Sequence, residues 1–153
     1  MDTAEEIRYL ILAIQREGHR QFAEALRPLD LTPAQAEVLR ILSEIEPISL
    51  LGLGAHLVCE SGSPSRLINR MVKADLIVKQ PSPEDRRAVV LSLSDKARSL
   101  LPALDAIEAG MHAQIDAVLS EIDLPTQAII RGLWRFAEGT ESGDALQRRK
   151  AKF

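Results

Sequence analysis

The sequence has one cysteine, Cys59, in 153 residues, so an intramolecular disulfide is excluded and a reducing compartment is expected. Aromatic residues make up only 3% of the chain, so Leu, Ile, Val and Ala must fill any core. Nowhere does an apolar run approach the roughly 18 residues needed to cross a membrane. The start, MDTAEEIRYL, is acidic and lacks the basic segment and apolar stretch of a secretory signal. A Gly-rich phosphate loop, a nucleophile elbow and a paired metal motif are all missing, which argues against catalysis. Three scattered histidines and His56-x-x-Cys59 do not make a ligand cluster, so neither a metal nor a cofactor is expected. These gaps point to a cytoplasmic protein without an enzymatic centre.

What is present is mostly helical pattern. Ile7, Leu10, Ile11, Ile14, Phe22 and Leu26 recur at helical spacing, and Arg27-Pro28 should close that helix. In LTPAQAEVLRIL, Thr32 is placed to cap, Pro33 suits the first helical position, and Gln35 completes a capping box. Glu46-Pro47 ends this second helix. A short third follows in LLGLGAHLV, where Gly54 suggests close approach by another helix. SPSRLINRMVKA makes a fourth, capped by Ser61 or Ser63, with Leu67, Ile68 and Met71 inward and the polar residues outward. LIVKQ reads as a strand, PSPEDRR as a turn, and AVVLSLS as a second strand with Val89, Leu91 and Leu93 on one face. Ser94 caps a long helix containing Pro102, and a last helix spans Asp123 to Ala137.

Two short helices joined by a tight turn and followed by a hairpin form a winged helix-turn-helix. A helix fits the DNA major groove, and a hairpin tip carrying arginine can reach the adjoining minor groove, where the potential is negative. Charge is distributed accordingly. Between Ser61 and Arg87 lie six bases (Arg66, Arg70, Lys73, Lys79, Arg86, Arg87) and three acids (Asp75, Glu84, Asp85), a net +3. The whole chain carries −3, so the remainder carries −6. The fold class expected is mainly α with a small β-hairpin wing. Residues 31–97 would form the winged helix-turn-helix, 1–30 and 98–140 dimerisation helices, and 141–153 a mobile C-terminal tail.

From about Leu31 to Leu101 the sequence resembles the MarR family of bacterial transcriptional regulators. The resemblance is carried by Asp85-Arg86-Arg87 ahead of an alternating strand, by Ser94 where the family usually has Thr, and by the run SRLINRM. It implies a homodimer whose terminal helices interlock. Each subunit would offer a winged helix to a pseudo-palindromic double-stranded operator, usually as a repressor released by a phenolic or aromatic carboxylate effector. On this footing Ser63, Ser65, Arg66, Asn69 and Arg70 match positions that face DNA, with Ser61 and Lys73 beside them. Arg87 matches the wing arginine, Arg86 accompanies it, and Asp85 matches an acid that orients the wing. The chain departs from the family at Pro64, usually β-branched or apolar, at Asp75, often Gly, and at Gly52, commonly Glu.

Plainer roles stand beside these. The arginines would otherwise form a solvated face, and Ser63 and Ser65 could serve only as helix caps. Cys59 is a candidate redox sensor, giving a redox-responsive repressor, but a free Cys is more commonly a small buried hydrophobe. Arg16, His19 and Arg20 lie near one another on the first helix and could meet a carboxylate ligand, although a solvated or dimer-facing stripe is the default. The basic RRKAK near the end could grip phosphates or simply be solvated. A winged helix used as a protein-interaction module, without specific DNA binding, is the alternative of a different class. Arg87→Ala should weaken DNA binding without lowering thermal stability; unchanged affinity in a fluorescence-anisotropy titration would remove the wing assignment.

Overall fold

The reciprocal cap at Thr32 sets the start of the best-specified helix. Thr32 Oγ1 accepts the Gln35 N–H at 3.3 Å and Gln35 Oε1 accepts the Thr32 N–H at 2.8 Å. Two otherwise unpaired helix-end donors are satisfied in this way. This is a computed structural model, and it describes residues 1–59, 62–82, 85, 88–122 and 125–152, with the side chain of Lys152 excepted. In chain order the described elements are α1 (Thr3–Leu26), α2 (Pro33–Ile45), β1 (Ile48–Ser49), α3 (Leu50–Gly54), α4 (Pro64–Lys73), β2 (Ile77–Pro81), β3 (Val89–Leu93), α5 (Asp95–Glu121), α6 (Thr126–Ala137) and α7 (Glu141–Lys152). The strands form an antiparallel sheet in the order β1-β3-β2, with Ile48 and Lys79 both in register with Leu91.

The core gathers where the middle of the chain folds on itself. Leu26 from the end of α1, Val38, Leu39, Ile41 and Leu42 from α2, and Leu53 from α3 are buried there. They meet Leu67, Ile68 and Met71 from α4, Leu91 and Leu93 from β3, and Ala97 and Leu104 from α5. Arg40 ties α2 to α5 along the edge of this core. Its Nη2 lies 2.5 Å from Asp105 Oδ1 and 2.7 Å from Glu108 Oε2. Burial draws the Arg40 pKa down, but hydrogen bonds to both acids outweigh it and the net direction is upward. Glu46, just past α2, accepts the Leu93 N–H at 2.5 Å and pairs with Arg98 of α5.

Several expectations change. Val89 is exposed, so the inward face of β3 begins at Leu91, and Val90 on the other side is also buried. Gly54 has room for a methyl group, whose nearest neighbour would be Pro64 Cγ at 3.7 Å. The constrained glycine of α3 is Gly52, where a Cβ would come within 2.8 Å of Ile48 Cγ1. Residues 141–153 do not form a loose tail over the part described. Glu141–Lys152 is a helix, with Ala145 buried. Gly143 permits its approach, because a Cβ there would lie 2.0 Å from the Ala137 carbonyl oxygen.

Ser94 joins the wing to α5. Its Oγ accepts the Ala97 N–H at 3.0 Å and donates to the Asp75 carbonyl at 2.6 Å. Ser94→Ala removes both bonds and should lower stability by about 1–2 kcal/mol. Urea unfolding should show this as a lower midpoint with an unchanged slope.

Candidate nucleic-acid interface

Helix α4 is amphipathic in the required sense. Leu67, Ile68 and Met71 are buried, while Ser65, Arg66, Asn69, Arg70 and Lys73 are exposed. Arg66, Asn69, Arg70 and Lys73 follow i, i+3, i+4, i+7 spacing and share the outer face. Among the described residues, Arg66 and Arg70 enter no ion pair with an acid. Their charge is therefore open to an anionic partner.

Both ends of α4 are fixed by specific contacts. At the N-terminus the Ser63 carbonyl accepts from Arg66 at 3.0 Å and Leu67 at 3.2 Å, and Pro64 occupies the first helical position, where no N–H is needed. The Ser63 side chain does not cap the helix; its hydroxyl meets that of Ser65 at 2.8 Å. At the C-terminus Asp75 adopts a left-handed φ of 57°. Leu76 N–H returns to the Met71 carbonyl at 2.9 Å and Asp75 N–H to that of Val72 at 3.1 Å, a Schellman closure normally made with glycine. Lys96 Nζ donates to the Ala74 carbonyl at 2.8 Å.

The turn before α4 hangs on a residue the sequence reading overlooked. Glu37 of α2 is buried, and its two carboxylate oxygens accept the Val58 N–H at 2.9 Å and the Cys59 N–H at 2.8 Å. Arg149 of α7 donates a third bond at 2.8 Å. The available signal was position: Glu37 lies between Ala36 and Val38 in a run that is apolar on the core side. Lys79 was likewise absent from the candidate set. From β2 its Nζ donates to Asn69 Oδ1 at 2.8 Å.

In the wing, β2 and β3 pair out to Pro81 and Val89. Ser82 N–H then donates to the Ala88 carbonyl at 2.8 Å, and Ala88 N–H to the Asp85 carbonyl at 2.9 Å. Asp85 thus sits at the base of the tip turn. The candidate residues Ser61, Arg86 and Arg87 lie outside the described residues.

The remaining candidates separate. Arg16, His19 and Arg20 line one groove along α1 with Glu17, Ala23, Glu24 and Arg27. Arg20 is already engaged, with Nη2 at 2.5 Å from Glu17 Oε1 and Nη1 at 3.4 Å from Glu24 Oε2. The hydrogen bond to Glu17 raises the Arg20 pKa, and that to Arg20 lowers the Glu17 pKa. The basic tail is largely occupied too. Arg148 donates to the Ala55 carbonyl at 2.9 Å, Arg149 holds Glu37, and Lys150 lies 5.9 Å from the Trp134 ring centroid. His56 Nδ1 is 2.8 Å from the Gly52 carbonyl, and no metal-binding group of three His, Cys, Asp or Glu occurs among the described residues. No helix among them is long and apolar enough to cross a membrane.

These features find counterparts in known proteins. The MarR family profile matches residues 31–89. The chain is 30% identical over 101 residues to the HTH-type transcriptional regulator MgrA of Staphylococcus aureus, covering 65% of this chain and 69% of that one. It is 30% identical over 95 residues to the organic hydroperoxide resistance transcriptional regulator of Bacillus subtilis, covering 62% of this chain and 65% of that one. The solved structure of the transcriptional repressor CouR bound to a 23-mer DNA duplex matches with a TM-score of 0.63 at 24% identity, covering 77% of this chain and 90% of that one. With these relatives, the fold and exposed α4 face mark a winged helix-turn-helix DNA-binding transcriptional regulator. The chain belongs to the MarR family.

Cys59 is exposed, yet its thiol is not activated. Loss of hydration pushes it up to about 11, the Glu37 carboxylate adds to this, and Arg149 opposes it. A thiol with that pKa is only about 0.1% thiolate at pH 8. Alkylation by iodoacetamide should therefore be slow at pH 8 and rise about tenfold per pH unit towards pH 10. Rapid, pH-independent labelling would restore the redox-sensor reading.

Proposed function

We propose that the protein works as a homodimeric repressor on a pseudo-palindromic operator, released by a small aromatic or carboxylate effector. The observation that carries the dimer is the apolar surface left on the terminal helices. Ile7, Leu10, Ile11 and Ile14 of α1, Ile115 and Val118 of α5, and Leu133 and Phe136 of α6 are all exposed, with Ile14 and Phe136 at 70% and 69%. A soluble monomer rarely presents apolar surface on that scale, and a second copy of these same helices would bury it. Residues 1–30 and 98–140 are the dimerisation segments in this reading.

Two-fold pairing would set two α4 helices against successive major grooves, with Ser63, Ser65, Arg66, Asn69, Arg70 and Lys73 towards the DNA. Ser61, Asp85, Arg86 and Arg87 would complete each half-site contact through the turn and wing. Repression follows if the occupied operator excludes polymerase. The α1 groove is the effector site in this reading. There Arg16 and His19 would meet a carboxylate directly, while Arg20 would first have to leave Glu17 and Glu24.

Sedimentation equilibrium should give twice the chain mass, and a monomer at micromolar concentration would sink the dimer. Operator affinity should fall linearly with the logarithm of salt concentration, because Arg and Lys displace counterions from phosphate. Salt-insensitive retention, or equal affinity for every sequence, would favour the protein-interaction module instead.

A further inference from the structure

Lys79 and Asn69 form a contact that bears on which base the recognition helix reads. Asn69 is exposed on the outer face of α4, between Arg66 and Arg70. Lys79 stands on β2, two residues after buried Ile77 and in register with Leu91, so its backbone position is fixed by the three-stranded sheet. Its ammonium lies 2.8 Å from Asn69 Oδ1. An ammonium has only donors, so the amide atom facing it must be the oxygen, and the Asn69 Nδ2 group is turned the other way.

That orientation matters because an Asn side chain reads adenine by using both ends of its amide. The oxygen accepts from N6 and the nitrogen donates to N7. Lys79 takes one of the two lone pairs of that oxygen and sets a positive charge beside it, so a second donor such as adenine N6 meets a field of like sign. The unit chiefly offers donors: the two N–H groups of Asn69 and the remaining N–H groups of Lys79. Guanine presents two adjacent acceptors, O6 and N7, in the major groove, whereas adenine places its N6 donor where O6 would be. We propose that Lys79 and Asn69 act as one donor-rich, positively charged unit that selects guanine over adenine at the base pair they face, Lys79 being the specificity-determining partner. This rests on α4 being the helix that enters the major groove.

The test uses the full-length protein and an operator selected by it from a random-sequence library. Each base pair of one half-site is then varied, and affinities are measured by fluorescence anisotropy for wild type, Lys79→Met and Asn69→Ala. Wild type should show a base pair at which guanine binds about 5- to 150-fold more tightly than adenine. Lys79→Met should abolish or invert that preference towards adenine, because the competing donor and the positive charge beside Oδ1 are removed, and leave the other positions unchanged. Asn69→Ala should flatten discrimination at the same base pair. A uniform loss of affinity in Lys79→Met, with the guanine preference intact, would make Lys79 a phosphate contact and overturn the proposal while leaving the DNA-binding reading standing. An adenine preference at the Asn69-dependent position in wild type would overturn it equally. Failure of wild type to select any sequence would remove the operator reading and this proposal together. Lys79 is exposed, so the thermal midpoint of Lys79→Met should match wild type.

Discussion

The placement of the recognition helix depends on one buried carboxylate. Glu37 brings a charge into the core side of α2, which costs solvation unless every lone pair finds a donor. Three donors supply that compensation: the amides of Val58 and Cys59 and the Arg149 guanidinium. The two amides lie in the segment after α3, so the same bonds that satisfy the charge hold the chain where it leads towards α4. Breaking a buried pair from one side typically costs about 3–5 kcal/mol. Glu37 also adds to the effect of burial on the Cys59 thiol, because a carboxylate so close disfavours a second negative charge.

Helix α4 is therefore clamped at its ends and open along its middle. Before it stands the Glu37-held turn. After it, the Asp75 reversal is held by Ser94 and Lys96 from the α5 side. The apolar residues Leu67, Ile68 and Met71, with Val72 partly buried beside them, face the core, so the helix can be rigid without using its polar side chains for stability. Among the described residues several cations elsewhere are paired: Arg40 with two acids, Arg98 with Glu46, and Arg20 with Glu17 and Glu24. Arg66 and Arg70 are left with positive potential directed outward, where phosphate can use it.

Local pattern made much of this legible. The Thr32 capping box, the Ser94 cap and the inward trio of α4 each follow from a few neighbouring residues, and each appears in the structure. What was hidden depends on contacts far apart in sequence. Glu37 and Arg149 are separated by 112 positions, and nothing local marks either as a partner. Lys79 could be counted as a base, but its bond to Asn69 requires the angle between strand and helix. Residues 141–152 carry too few apolar side chains to signal burial. Their docking relies instead on Ala145, on two arginines that reach main-chain and side-chain oxygens, and on the missing side chain of Gly143. Gly54 misled for the converse reason: close approach was inferred from residue type, whereas the tight packing was one turn earlier, at Gly52 against Ile48.

The distribution of burial along α5 divides the molecule by task. From Ala97 to Leu104 the helix contributes to the core of the reading domain, and Arg40 grips it at Asp105 and Glu108. Beyond that point Ile115, Val118 and Ile122 are exposed, as are the apolar residues of α1 and α6. One continuous helix thus has one end fixed within the winged domain and the other in the surface proposed to bury a second copy. Because a helix transmits displacement along its axis far better than a flexible linker, any shift in how the terminal helices pack would move α5 against Arg40 and hence against α2. In the proposed dimer that motion would reach both ends of α4 through Glu37 and Ser94. On the proposed dimer and effector site, a ligand in the α1 groove would not need to touch α4 to change the spacing of its two copies.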